Sequence, residues 1–363
     1  MRILHVFKTY IPDSFTGIER VIWELGEGLA DNGVETHVLS LSTKPHAGIY
    51  QVGRHFGHQA KQNFHFASAG WSLDIFSVFK KLSQDVDVVH YHFPWPTADL
   101  LHLVTRRGTP SLVTYHSDVV RQKFLYPIYK PLMSRFLGEV DAIVATSPNY
   151  KESSPVLKKF SEKVDIIPIG IKDSTYVSNN NVKRWKEEIG EGFFLFIGAL
   201  RYYKGLGTLL EAARITGFPV VIAGDGEMFE EISKTAGGGV KLLGSVSEED
   251  KLALLSLCTA FVFPSHLRSE AFGVALLEAS RSARPMISCE IGTGTTFVNI
   301  DGETGLVVPP SDPDALATAM RCFFGNPRKA EEMGKRARAR YEEFFTSEMM
   351  CQKYLKLYHS LIE

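Results

Sequence analysis

One alternation of short apolar runs with amphipathic stretches, played through twice, constrains this sequence most. In the first round the apolar runs lie at 2–7, 35–41, 86–90, 111–115, 142–145 and 163–167. Helix-like stretches such as 18–32 and 124–137 lie between them. After a polar interval the pattern restarts: FFLFIG (193–198), a helix pattern over 207–216, VVIAG (220–224), VKLLG (240–244), AFVFPS (260–265) and RPMISC (284–289). Strands alternating with helices call for parallel sheets covered on both faces. The length of 363 residues exceeds what one core usually serves, so two α/β domains are expected. The first is assigned to residues 1–173 and the second to 184–343. A linker near 172–184, with the run SNNN at 178–181, joins them, and an amphipathic helix at 347–363 packs back on the first domain. Two Rossmann-like domains in tandem leave a cleft between them, with ligands at the carboxyl ends of the strands.

Composition removes several function classes. The net charge of −1 gives no reason to expect a nucleic-acid partner. The four cysteines, Cys258, Cys289, Cys322 and Cys351, show no CxxC spacing, which fits incidental thiols in a reducing compartment. The opening MRILHVFKTYIPD has too short an apolar run for a signal peptide, and no stretch reaches the ~20 apolar residues of a membrane span. The expectation is a cytoplasmic protein. The first strand leads into KTYIPDSFTGIER (8–20), which lacks the GxGxxG of a dinucleotide enzyme.

The second half carries the strongest chemical signals. In IGALRYYKG (197–205) a strand ends at Gly198, and Arg201 and Lys204 follow, two cations placed for a diphosphate. The same residues also fit a solvated basic turn. VVIAGDGE (220–227) ends a strand in Gly224, Asp225 and Gly226, which lets backbone approach a ligand or simply makes a tight turn. In LLGSVSEED (242–250) the backbone near Val246 is open to a base edge, although Ser247 as an N-cap explains the segment by itself. SEAFGVALLEA (269–279) places Glu270 in a loop and Glu278 inside a helix, with the helix-start amides of Phe272, Gly273 and Val274 between them. Were the whole stretch helical, the two carboxylates would stand about 80° and about 12 Å apart. That is poor geometry for a shared proton, and it suits a ligand held at two points across a helix start.

The order of these motifs, followed by GETGLVVPP (302–310), resembles the retaining glycosyltransferases of family four, which have the GT-B fold. FTGIERVIWELGEGLADNGVETHVLSL (15–41), LVTYHSDVVRQK (112–123), ATSPNYKESSPVL (145–157) and IIPIGIK (166–172) extend the resemblance over nearly the whole chain. HSDVVRQK, RYYKGL and GTGTTFVNIDGETG are similar to bacterial O-antigen and exopolysaccharide mannosyltransferases that use GDP-mannose. The chain departs from the family at Ala199, where an arginine is usual, and Arg201 takes its place. Lys172 replaces the usual aspartate, and Thr16-Gly17 stands where two glycines are common.

The resemblance implies a nucleotide-sugar donor bound by the second domain and a glycan or undecaprenyl-diphosphate-linked acceptor bound by the first. Glu270 would hold the sugar hydroxyls and Glu278 the ribose. Arg201, Lys204 and the helix amides would take the diphosphate, with Gly17 a further phosphate contact and His116 near the sugar 6-hydroxyl. No cofactor is implied. The DxD-like triplets DVD (85–87) and DPD (312–314) lie where they read as a strand entry and a helix cap, so no obligatory metal is expected. The segment 121–137 mixes Arg121, Lys123, Lys130 and Arg135 with aromatic and aliphatic residues. A helix packed on its own domain would also explain it, but the lipid-linked acceptors of related enzymes favour peripheral contact with the inner face of the cytoplasmic membrane, which is the expectation. GDP-rhamnose or a UDP-hexose remain alternative donors. A non-transferring nucleotide-sugar-binding protein or an epimerase of similar fold is the alternative activity.

Overall fold

The computed structural model describes every residue except 67–68, 106–107, 120–123 and 175, together with the side chain of residue 69. The chain divides into two compact units, Met1–Lys172 with Ser347–Glu363, and Asp173–Thr346.

The first unit is built on an eight-stranded sheet. Its strands are β1 (Arg2–Val6), β2 (Glu35–Ser42), β3 (Tyr50–Val52), β4 (His55–Lys61), β7 (Val88–Phe93), β8 (Ser111–Tyr115), β9 (Ala142–Ala145) and β10 (Val164–Ile166). The small hairpin β5 (Phe64–Phe66) and β6 (Ala69–Trp71) stands apart. The sheet order is β10-β9-β8-β7-β1-β2-β4-β3, parallel except for the β3–β4 edge. The strand order reverses between β1 and β7, the topological switch point at which such sheets bind ligands. The sequence pattern misses β4 because it counts His55 and His58 as polar, and β3 because three residues are too short to show an alternation. Both rings are buried, and burial lowers both pKa values, that of His58 to about 4, so they pack as neutral aromatic groups.

The C-terminal helix Ser347–Ile362 belongs to this unit. Tyr358 Oη lies 2.7 Å from His90 Nδ1, and Tyr354 Oη lies 2.7 Å from Thr114 Oγ1. Cys351 sits against Gly28, where an added Cβ would come within 2.5 Å of its sulfur.

Asp99, in the helix Pro96–Thr105, is fully buried and accepts a 2.5 Å hydrogen bond from Tyr129 Oη of the helix Tyr126–Glu139. Burial raises its pKa from 3.8 to about 8. Between those two values the folded chain holds a proton that the unfolded chain releases, so Asp99 costs increasing stability as pH rises across that window. Asp99→Asn is expected to raise the unfolding midpoint at pH 8 and to change it little at pH 4. Thermal melts across this range check the sign.

The second unit has a six-stranded, all-parallel sheet. Its strands are β11 (Phe194–Ile197), β12 (Val220–Ala223), β13 (Val240–Gly244), β14 (Ala260–Phe263), β15 (Met286–Cys289) and β16 (Gly305–Val308). Their order is β13-β12-β11-β14-β15-β16, with the switch point between β11 and β14. Phe194, Phe196, Ile222, Val262 and Ile287 from four of these strands fill one core with Leu209 and Met320 from covering helices. Each such buried side chain contributes about 1.5–3 kcal/mol.

The run at 178–181 corrects the linker reading. Ser178 precedes the helix Asn179–Ile189, which docks on the helix Glu248–Leu257 through Asp250. Asp250 accepts a 2.9 Å hydrogen bond from Trp185 Nε1 and pairs with Arg184. Polar composition hid this helix because its one buried residue is Trp185.

Candidate active site

In the second unit the site residues gather where the strands beside the switch point end. Residues 198–205 follow β11, and residues 264–273 follow β14. The two loops meet at backbone distance: His266 N–H donates to the Tyr203 carbonyl at 3.0 Å. Gly205, at φ 69°, faces Pro264 so closely that a Cβ would fall 1.9 Å from its carbonyl oxygen. Only glycine meets both demands. The loop after β12 closes on the same place. Gly224, at φ 144°, would put a Cβ 1.9 Å from the Gly198 carbonyl oxygen, and Gly226 abuts Leu200. The glycines of the GDG turn are thus required by loop packing alone. Asp225 between them is exposed and accepts the Gly226 N–H at 2.7 Å.

Lys204 and Glu270, 66 positions apart in sequence, form an ion pair here. Their side chains are 11% and 12% exposed. The Lys204 ammonium also lies 4.7 Å from the centre of the Phe263 ring and 5.3 Å from that of Tyr203. Burial, and then the charge of Glu270, raise the Tyr203 pKa. Sequence reasoning missed Ser265, whose buried hydroxyl lies 3.4 Å from Glu270 Oε2, and Arg268, which donates to the Gly292 carbonyl at 2.6 Å. Both lie in the FPS–LRS stretch, whose sequence signals were its place after a strand and the FPS triplet among the motifs of the family resemblance, neither of which gave these two side chains a role. Arg201 stands on the same loop as Lys204 but is exposed, and among the described residues no carboxylate pairs with it.

The helix Val274–Arg281 starts beside this pair. Its N-cap is Gly273 at φ 87°, and no side chain caps it. The helix Leu206–Thr216 likewise opens at a glycine, Gly205, without a side-chain cap. The helices that open at Ser247, Asp312 and Asn326 have their first amides filled by those side chains. The two uncapped helix starts leave backbone N–H groups and the positive ends of helix dipoles available to an anion. Phe272, just before Gly273, is buried with its ring centre 6.1 Å from that of Phe345. Glu278 is the fifth residue of its helix and nearly buried, with Lys251 Nζ 3.8 Å from Oε1. Val246, half-buried, precedes the Ser247 cap.

In the first unit, Gly17 begins the helix Gly17–Leu29, again without a side-chain cap, and an added Cβ there would meet nothing within 4 Å. His116 follows β8 and is 5% exposed. Its Nε2 lies 2.9 Å from His92 Nδ1, and burial lowers its pKa to about 3. His5, His90 and His92 bring ring nitrogens within 4.8 Å of one another, the spacing of a metal cluster. Both nitrogens of His90 are engaged by Tyr358 and Thr114, and both of His92 by His5 and His116. Only Nε2 of His5 is left for an ion. The DxD-like triplets are structurally employed: Asp87 accepts the Arg2 backbone N–H at 2.7 Å, and Asp312 caps the helix Pro313–Gly325. Arg121 and Lys123 lie outside the described residues. Lys130 is exposed on the helix Tyr126–Glu139, and Arg135 pairs with Glu139 at 2.9 Å.

Comparison with known proteins decides the family. Residues 15–175 match the model for Glycosyltransferase Family 4, and residues 178–340 match that for Glycosyl transferases group 1. The D-rhamnosyltransferase WbpZ of Pseudomonas aeruginosa is 50% identical over 96% of this chain and 93% of its own. The chain belongs to the glycosyltransferase group 1 family. The O-antigen chain mannosyltransferase C of Escherichia coli is 46% identical over all of this glycosyltransferase and 99% of its own length. The sucrose-phosphate synthase structure from Thermosynechococcus elongatus superposes with a TM-score of 0.82 at 20% identity, covering 99% of this enzyme and 98% of that chain. The enzyme has the GT-B fold of these glycosyltransferases.

Proposed function

We propose that this enzyme is a retaining hexosyltransferase that moves mannose from GDP-mannose to a glycan or undecaprenyl-diphosphate-linked acceptor in O-antigen or exopolysaccharide synthesis. One observation carries the reading: Lys204 and Glu270 stand side by side at the uncapped start of the helix Val274–Arg281. A cation and helix amides suit a diphosphate, and a carboxylate beside them suits sugar hydroxyls. In this reading Lys204, Arg201 and the amides of Phe272–Val274 hold the diphosphate, and Glu270 holds the sugar. Glu278 holds the ribose, and the strand-end backbone at Gly198, Gly224–Gly226 and Val246 lines the nucleotide. Gly17 offers a further amide to phosphate.

As the anomeric C–O bond breaks, its electron pair moves onto the leaving phosphate oxygen and the sugar becomes oxocarbenium-like. Fixed cations and amides stabilise that growing charge more than they stabilise the bound donor. The acceptor hydroxyl bonds to the anomeric carbon on the face the phosphate leaves, and its proton passes to the phosphate. Lys204, Arg201 and the amides supply the charge that a metal provides elsewhere, so no metal is required. D-Rhamnose is 6-deoxymannose, and the 50% identity to a D-rhamnosyltransferase favours GDP-D-rhamnose as the second reading.

The enzyme works at the inner face of the cytoplasmic membrane as a peripheral protein. No helix among the described residues is long and apolar enough to cross a membrane. Phe124, just before the helix Tyr126–Glu139, and Ile128 within it are 97% and 79% exposed and, with Lys130 on the same helix, supply an apolar and basic surface for lipid.

One assay tests the whole reading. Labelled GDP-mannose or GDP-rhamnose is offered with lipid-linked acceptor in anionic vesicles, with excess EDTA. The expected outcome is α-linked label in the lipid fraction, undiminished by EDTA, with enzyme floating with the vesicles at low salt. A β-linked product, or activity restored only by a divalent ion, would contradict it.

A further inference from the structure

Three histidines form a hydrogen-bonded line across adjacent strands of the first unit. His5 is on β1, His92 on β7, and His116 immediately follows β8. His5 Nδ1 lies 2.9 Å from His92 Nε2, and His92 Nδ1 lies 2.9 Å from His116 Nε2. Successive rings stack with centres 5.2 Å apart and planes within 20°. His5 and His92 are fully buried. Burial lowers the pKa values of all three, those of His5 and His116 to about 3, so the rings are neutral at pH 7.

A neutral imidazole carries one N–H and one lone pair. Two hydrogen bonds through three such rings therefore leave only two proton arrangements. In one, every ring is protonated at Nδ1, and the line donates from His5 through His92 to His116. In the other, every ring is protonated at Nε2, and the line runs in reverse. The inner end decides between them. His5 Nε2 is buried with no partner. The reverse arrangement would strand an N–H donor there, and orphaned buried N–H groups are rarer in folded proteins than under-satisfied acceptors. The Nδ1 arrangement leaves only a lone pair. It also puts an N–H at His116 Nδ1, which has no protein partner among the described residues, on the ring that keeps some exposure.

We propose that His5 and His92 are positioning residues that hold His116 in its Nδ1–H tautomer, so that it donates a hydrogen bond to a sugar or phosphate oxygen of the donor. The identity of that ligand rests on the function proposed above; the tautomer does not. The line also explains why both inner histidines occupy core positions that an aliphatic side chain would fill more cheaply.

The test is imidazole ¹⁵N NMR on the full-length, histidine-labelled enzyme without donor, with His116 assigned through His116→Gln. The expected spectrum shows His116 neutral and protonated at Nδ1, the minor form of a free histidine side chain. A signal for Nε2–H or imidazolium at pH 7 overturns the proposal. Breaking the line with His92→Phe, or with His5→Phe if the first variant does not fold, is expected to return His116 to a mixture weighted to Nε2–H. Turnover should fall, by roughly the 10–100-fold seen when the orienting partner of a metal-bound histidine is removed, with donor KM changing less. An unchanged His116 tautomer in a folded variant overturns the proposal equally. Because the wild-type spectrum needs no substrate, failure of the donor assay and failure of this inference are read separately.

Discussion

Glu270→Ala is expected to lower turnover by about 10²–10³-fold, the usual loss when a group aimed at transition-state charge is removed. Lys204→Ala should cost a similar factor. The two side chains share one ion pair in a place only 11–12% exposed, so each variant strands the other's charge. Without Glu270, the Lys204 ammonium stays against Phe263 with no carboxylate to set its position. Without Lys204, the Glu270 carboxylate keeps, among the described residues, the 3.4 Å contact with Ser265. Residues that act as a unit are strongly non-additive. The double variant is therefore expected to be no slower than the slower single variant. Steady-state kinetics on the three proteins measures this directly, and losses that multiply in the double variant would show that the two residues act separately. Stability should change less, by about 1.5–3 kcal/mol, as for a hydrogen bond to a charged group.

Glu278→Ala should act on a different constant. Glu278 sits a turn inside its helix, and its neighbour is Lys251 on the helix Glu248–Leu257 rather than the Lys204 pair. A carboxylate that holds ribose hydroxyls contributes equally before and during bond breaking. Its removal should therefore raise donor KM by about 10–100-fold, or about 1.4–2.8 kcal/mol, with kcat nearly unchanged. A fall in kcat at constant KM would place Glu278 at the reacting sugar. The contrast with Glu270 separates the two ends of SEAFGVALLEA by the parameter each controls.

The alternation of apolar runs was enough to read the parallel strands of both sheets other than β4, because strands buried on both faces appear mostly as runs of Val, Ile, Leu and Phe. The C-terminal helix, the Ser247 and Asp312 caps, and Glu270's place before a helix were legible for the same reason: each is a local pattern. Contacts between distant segments were not. Nothing local announces that Lys204 meets Glu270, or that Gly224 is forced by the Gly198 carbonyl. Histidine misled most. His55 and His58 hid a strand, and His5 and His92 passed as ordinary polar strand residues, because polarity scales price histidine as exposed while this fold buries it neutral. The helix at 179–189 was hidden in the opposite way, by a polar surface with one buried tryptophan.

The most direct measurement of the central claim is a thermal-shift titration with GDP, GDP-mannose, UDP and UDP-glucose, on wild type and on Glu278→Ala. A ligand that binds only the folded chain stabilises it by about 2.7 kcal/mol at one hundred times its dissociation constant. GDP and GDP-mannose are expected to raise the wild-type midpoint by several degrees, uridine nucleotides much less, and Glu278→Ala should lose most of the shift. No shift with any nucleoside diphosphate, or an equal shift in the variant, would contradict a donor clamp at the carboxyl ends of β11 and β14.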